Sequence, residues 1–160
     1  MSTEHKPKYL DLEFLKTASN KRFAIVYSEW NSIIIDRLLK GALNFFREIG
    51  ISEEKIELFR VPGSFELVYG CSKISSTKKF DAIIAIGSII RGETSHFKFI
   101  SQSVFNGIKD LNLSGTCPIV LCLLTDDNYQ QSVDRSGGKH GNKGADSAEA
   151  ALKMIMINSK

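Results

Sequence analysis

Phe80-Asp-Ala-Ile-Ile-Ala-Ile-Gly-Ser-Ile-Ile90 decides the fold. Its apolar residues are consecutive rather than alternate, so both faces must be covered. That is the pattern of a central parallel strand with helices packed on either side. Upstream, Phe23-Ala-Ile-Val-Tyr-Ser28 reads as a first strand. After it, Ile34, Leu38, Ala42, Phe45 and Ile49 recur at helical spacing, and Gly50 signals the helix end. Ile56 to Val61 reads as a half-buried strand with Ile, Leu and Val inward, followed by a helix from about Ser64 to Ser75. Downstream, Phe97, Ile100, Val104, Ile108 and Leu111 return to helical spacing. Cys117 to Thr125 reads as another buried strand, with Pro118 tolerable only near its start. Two closing helices, Asn128 to Arg135 and Ala145 to Ile157, are separated by a flexible Ser-Gly-Gly-Lys-His-Gly-Asn-Lys-Gly segment. Strand-helix alternation of this kind predicts an α/β fold with a parallel sheet, right-handed crossovers and helices on both faces. Residues 1–20 are polar and read as an N-terminal arm, leaving 21–160 as a single domain.

The rest of the chain fits that picture. A protein of 160 residues buries about 70% of its unfolded surface, and 42% hydrophobic with 24% charged residues is ordinary globular composition. Disordered and fibrous classes are therefore excluded. Lys and Arg outnumber Asp and Glu by 21 to 18, but they are scattered, which argues against nucleic-acid binding. The apolar run from Ala82 to Ile90 is far short of the ~20 residues of a membrane helix. The N-terminus has no apolar signal region, and three cysteines without a CxxC pair do not make a disulfide framework. A cytoplasmic protein is the expectation.

In open α/β sheets ligands bind beyond the carboxyl ends of the strands. Beyond the first strand stands Trp30, the single tryptophan, beside Asn31. Trp30 is either a rim residue capping the core or a stacking platform for a planar ring, with Asn31 offering donor and acceptor. Beyond the second come Pro62, Gly63, Ser64, Phe65 and Glu66, a tight turn with Ser64 as expected helix N-cap. Capping explains most of that segment, and the same N–H groups with a carboxylate would also hold a polyhydroxyl chain. Beyond the third, Gly87-Ser-Ile-Ile-Arg-Gly-Glu-Thr-Ser-His96 runs into a helix. Unpaired N–H groups at that helix start suit an anion. His96 in the first helical turn would lie beside it, and an imidazole titrating near ~6.5 can move protons at neutral pH. On and after the fourth come Leu121, Thr125 and Arg135. No GxGxxG or GxxxxGK[ST] fingerprint is present, and the histidines and cysteines share no metal-ligand spacing. No metal and no cofactor are expected, so chemistry must rest on acid-base groups and positioning.

Together, Trp30-Asn31, Val61-Pro-Gly-Ser-Phe-Glu-Leu67, Gly87 to His96 and Arg135-Ser-Gly-Gly-Lys-His-Gly-Asn-Lys-Gly144 resemble the lumazine synthase family of riboflavin biosynthesis, over about Arg22 to Ile157. The resemblance implies a flavodoxin-like three-layer sandwich around a four-stranded parallel sheet. It implies a cofactor-free transferase that condenses 5-amino-6-(D-ribitylamino)uracil with 3,4-dihydroxy-2-butanone 4-phosphate to the lumazine, phosphate and water. By the same resemblance, Trp30 and Asn31 meet the pyrimidine, Ser64, Phe65 and Glu66 hold the ribityl chain, and Ser88, Ile89 and Ile90 line the ring slot. Glu93 and Thr94 contact the phosphate, Arg135 clamps it, and His96 is the catalytic histidine. Leu121 closes the ring pocket from a neighbouring subunit, which also supplies Arg135.

The family forms pentamers with active sites between subunits. The short Gly137–Gly144 segment resembles that of members that build icosahedral shells, and association with riboflavin synthase is a further implied partnership. This chain departs from the pattern at Leu121-Cys122, where many members have Phe-Gly, at Val68, where proline is usual, and at Glu93, where a small residue is common. Competing readings are a non-enzymatic riboflavin- or FMN-binding module, a shell-forming paralogue with a degenerate pocket, and a phosphate-binding signalling domain.

Overall fold

The computed structural model describes residues 18–115 and 117–159. Four strands, β1 (Phe23–Ser28), β2 (Ile56–Val61), β3 (Ala82–Ile90) and β4 (Ile119–Asp126), form one all-parallel sheet in the order β2-β1-β3-β4. Among the described residues, five α-helices connect and cover them: α1 (Ser32–Glu48), α2 (Leu67–Ser76), α3 (His96–Ser114), α4 (Tyr129–Arg135) and α5 (Lys143–Ile155). This is the expected three-layer α/β sandwich of flavodoxin-like type. No described helix is long and apolar enough to cross a membrane.

The sheet has two cores because its strands bury both faces. On one face Phe23, Ile25, Ile84 and Ile86 pack against Ile34, Leu38, Ala42 and Phe46 of α1 and Ala148, Ala151, Leu152 and Ile155 of α5. On the other, Ala24, Val26, Ile83 and Ala85 meet Leu67 and Cys71 of α2 and Val104 and Ile108 of α3. Ala82 to Ile86 are fully buried, as a strand apolar at every position requires. Of the segment read as an arm, residues 1–17 lie outside the described residues, and Ala18 at its end is fully buried in the first core.

Several details differ from the sequence reading, each for a reason of position. In β2 it is Phe59 and Val61 that pack into the second core, Phe59 edge-on to Phe80 at 5.9 Å, while Leu58 is 45% exposed. Ile56 at the start of β2 packs against the first core, so this edge strand reaches both faces but covers neither fully. β4 is likewise an edge strand, half-buried rather than enclosed. In α1 the fully buried aromatic is Phe46, against Phe23 at 4.6 Å, with Phe45 only partly covered. Gly50, at φ 81°, ends α1 as expected.

The glycine-rich stretch after α4 is a small antiparallel hairpin, β5 (Ser136–Gly138) and β6 (Gly141–Asn142), rather than an irregular loop. Asn142 ties it to the body. Its Nδ2 donates to the carbonyls of Arg37 (2.8 Å) and Ser136 (3.1 Å). Its Oδ1 accepts the N–H groups of Gly144 (2.8 Å) and Ala145 (3.3 Å), capping α5.

Burial pushes the Cys71 thiol up to about 12 and the Cys122 thiol up to about 11. Both stay neutral in the fold while unfolded thiols ionise near ~8.5, so their contribution is complete below that pH and is lost as pH rises. The unfolding free energy from urea titration is expected to decline between about pH 9 and 11, by on the order of 1 kcal/mol per pH unit per thiol at most. A shallower decline in the C71A C122A variant checks the assignment; an identical one contradicts it.

Candidate active site

All four strand ends open on one rim because the sheet is entirely parallel. Three of them frame an open cleft of about 530 Å³. At the first, Trp30 stands 74% exposed. Asn31 follows in the left-handed region (φ 59°, ψ 44°), which asparagine tolerates better than most residues. Its Nδ2 donates to the Ser88 carbonyl at 3.0 Å. A donor expected to face a ligand is thus engaged in fastening the Trp30 turn to the end of β3.

At the second strand end the turn carries Ser64, Phe65 and Glu66 into the cleft lining, with Gly63 and Ile100 as further wall. Ser64 is not the helix cap: α2 starts at Leu67, whose N–H reaches the Ser64 carbonyl at 3.3 Å. Residues 64–66 form an extra turn instead. The Ser64 hydroxyl is buried against Gly87, where a Cβ would come within 2.8 Å of it. Gly87 thereby lets the turn sit on the sheet. Gly63 is the lining residue whose signal was in the sequence, a Pro-Gly turn that brings backbone close to a ligand.

At the third strand end Ser88, Ile89 and Ile90 form the floor. Ser88 is buried, and its hydroxyl has no hydrogen-bond partner among the described residues. His96 opens α3 and lines the same cleft, exposed to solvent. Its N–H donates to Thr94 Oγ1 at 3.3 Å. The connecting loop is fixed at its start: the Arg91 N–H donates to the Asp126 carbonyl (2.9 Å), and the Arg91 guanidinium pairs with Asp127 while lying 4.4 Å from the Phe97 ring centroid. Glu93 and Thr94 sit exposed on this loop, beside the helix start but outside the cleft lining.

The fourth strand contributes to a different cleft, and Leu121 lies within it rather than beyond its end. Leu121 and Arg135 line a separate cleft of about 840 Å³ along the free edge of β4, together with Asp126, Gln131 and Lys143. Within one chain these two residues are therefore not brought to His96. The lysines in and just after the hairpin are already paired: Lys139 with Asp134 at 3.2 Å and Lys143, the first residue of α5, with Asp146 at 2.8 Å. A hydrogen bond from Gln130, with help from Lys139, holds the Asp134 carboxyl below its usual range. Among the described residues, no group of three or more His, Cys, Asp or Glu is placed to hold a metal ion.

A cleft with an aromatic plate, a buried serine floor, a helix N-terminus and an imidazole can bind a planar polar ring next to an anion and transfer protons between them. Comparison with known proteins points the same way. The family model described as 6,7-dimethyl-8-ribityllumazine synthase matches residues 20–159. A protein of that name from Flavobacterium johnsoniae is 46% identical over 161 residues, covering 100% of this chain and 85% of its own. One from Christiangramia forsetii is 49% identical, with 92% and 88% covered. One from Parabacteroides distasonis is 43% identical, with 93% of each chain covered.

Proposed function

The chain belongs to the 6,7-dimethyl-8-ribityllumazine synthase family, and from that premise we infer what its two clefts do. The enzyme condenses 5-amino-6-(D-ribitylamino)uracil with 3,4-dihydroxy-2-butanone 4-phosphate, giving the lumazine, phosphate and water. The family assignment does not favour a non-enzymatic flavin-binding module or a scaffold with a degenerate pocket. The observation that carries the site assignment is the convergence of Trp30, Ser88 and His96 on one crevice at the carboxyl edge of the sheet.

In this reading Trp30 covers the pyrimidine, and Asn31 acts mainly by holding the Trp30 turn to β3. Ser88, Ile89 and Ile90 receive the ring edge, and the orphaned Ser88 hydroxyl is the group that gains most from a polar ring atom. Ser64, Phe65 and Glu66 take the ribityl chain. Thr94 and the backbone of Glu93 offer N–H groups to the phosphate at the start of α3. The Glu93 side chain is exposed to solvent, which leaves room for its charge to turn away from the phosphate.

The substrate amine attacks the ketone carbon and a first water leaves to give an imine. A proton is then lost from the neighbouring carbon as the phosphate departs with the C–O electron pair. The resulting enol tautomerises to a carbonyl, and the ribityl-bearing nitrogen attacks it with loss of a second water to close the ring. Holding the two substrates together removes up to about 7–11 kcal/mol of the barrier. His96 takes and returns the protons, while a guanidinium stabilises the leaving phosphate. That guanidinium is Arg135 of a neighbouring copy, with Leu121 of the same copy closing the ring pocket.

Support for a site completed by a second copy lies in what one chain leaves uncovered. Trp30, Phe65, Tyr69 and Phe99 are each more than half exposed, and the Arg135 cleft is separate from that of His96. We assign the assembly as a pentamer, with an icosahedral shell of pentamers and association with riboflavin synthase as its further extension, in the cytoplasm. Light scattering that returned a monomer mass would refute the shared site.

The direct test is incubation with both substrates while following lumazine absorbance; no product rejects the reading. Arg135→Ala is expected to raise the KM for the butanone phosphate by roughly 10- to 100-fold, with a smaller effect on the KM of the amine. An unchanged phosphate-substrate KM removes Arg135 from its role.

A further inference from the structure

We propose that Asp126 is a positioning residue that presents Arg135 to the phosphate; the proposal rests on the assignment of Arg135 made above. Asp126 ends β4 and is 5% exposed. A carboxylate so far from water needs partners, and the partners it takes reveal its use. Neither oxygen serves a helix terminus, because Asn128 already caps α4 by accepting the Gln131 N–H at 3.0 Å. Oδ2 instead accepts the hydroxyl of Ser132, itself fully buried, at 2.7 Å. Oδ1 faces the Arg135 Nε at 3.7 Å.

The guanidinium is fastened at a second point, where Nη1 donates to the Gln131 carbonyl at 3.1 Å. Gln131 is rigid in turn, since its Oε1 accepts the Asp127 N–H at 2.8 Å. With Nη1 hydrogen-bonded and Nε within ion-pair range of the carboxylate, Nη2 has no hydrogen bond among the described residues, and the side chain is 35% exposed. A fork pre-oriented in this way loses less freedom on gripping a phosphate than one that must be ordered on binding. Ser132 keeps the carboxylate from rotating away. The backbone carbonyl of Asp126 also receives the Arg91 N–H at the root of the phosphate loop. One residue thus stands behind the loop of its own cleft and behind the cation lent to the next.

The test is steady-state kinetics of the assembled enzyme with Asp126→Asn, which keeps the shape and one acceptor oxygen for Ser132 but replaces the other oxygen with an amide and removes the charge facing Nε. The KM for the butanone phosphate is expected to rise about tenfold, and the inhibition constant for inorganic phosphate to rise in parallel. The KM for the amine is expected to stay within about twofold, while kcat falls a few-fold because the same guanidinium stabilises the leaving phosphate. Ser132→Ala is a second, milder variant, and should raise the same two constants about two- to threefold. A lowered melting temperature with both constants unmoved in either folded variant would show Asp126 to be structural and overturn the proposal, provided Arg135→Ala raises them. If Arg135→Ala also leaves them unmoved, the Arg135 assignment fails first and the proposal falls with it.

Discussion

Replacing His96 by alanine is expected to slow turnover about a hundredfold without abolishing it, while both KM values move no more than a few-fold. General acid-base groups contribute typically 10²- to 10⁴-fold, and the low end applies here because the amine and ketone react chiefly once held together. A hundredfold corresponds to about 2.7 kcal/mol of transition-state stabilisation. The fold should not suffer. His96 is exposed, and its backbone N–H hydrogen bond to Thr94 is one that alanine retains. Single-turnover measurement of lumazine formation separates this from a binding effect. A wild-type rate in the variant would move proton transfer to another group and leave the cleft as a binding surface alone.

What the sequence revealed about this site was local. Each predicted turn follows directly from the end of a strand, so Trp30, Ser64, Ser88 and His96 could be placed on one rim before their distances were known. The buried run at β3 and the helical periods of α1 and α3 were legible for the same reason. What stayed hidden depended on the order of strands. The edge position of β4 is set by pairing with β3 alone, and it turns an apolar run that reads as enclosed into a half-open wall. That placement sends Leu121 and Arg135 to their own cleft and buries Asp126, whose twin Asp127 stays in solvent. Nothing in Thr125-Asp-Asp-Asn128 distinguishes the two acids. The inward face of β2 and the choice of Phe46 over Phe45 are also matters of phase. Period alone leaves phase free when neighbouring positions are all apolar.

Gly144→Ala is expected to be the most damaging single methyl in the chain. A Cβ there would stand 1.9 Å from the Leu38 carbonyl oxygen and 2.6 Å from its carbon, both main-chain atoms in the middle of α1. No rotamer relieves a clash with backbone, so α5 and α1 must separate, and the first core lies between them. Overpacking a core usually costs about 1–3 kcal/mol. Displacing two helices should bring the loss to roughly 3–5 kcal/mol, a large part of the stability of a domain this size. Gly50→Ala is the contrast: its φ of 81° carries strain, but nothing lies within 4 Å, so about 1 kcal/mol is expected. The damage at Gly144 should also reach the chemistry. Asn142 bonds both the Arg37 carbonyl of α1 and the Ser136 carbonyl next to Arg135. Pushing α5 outward therefore breaks the tether that sets the hairpin, and with it the backbone from which the guanidinium extends. Urea titration of both variants decides the matter. A Gly144→Ala midpoint equal to that of Gly50→Ala would mean that the two helices are not in backbone contact, and that the hairpin must be anchored by something other than Asn142.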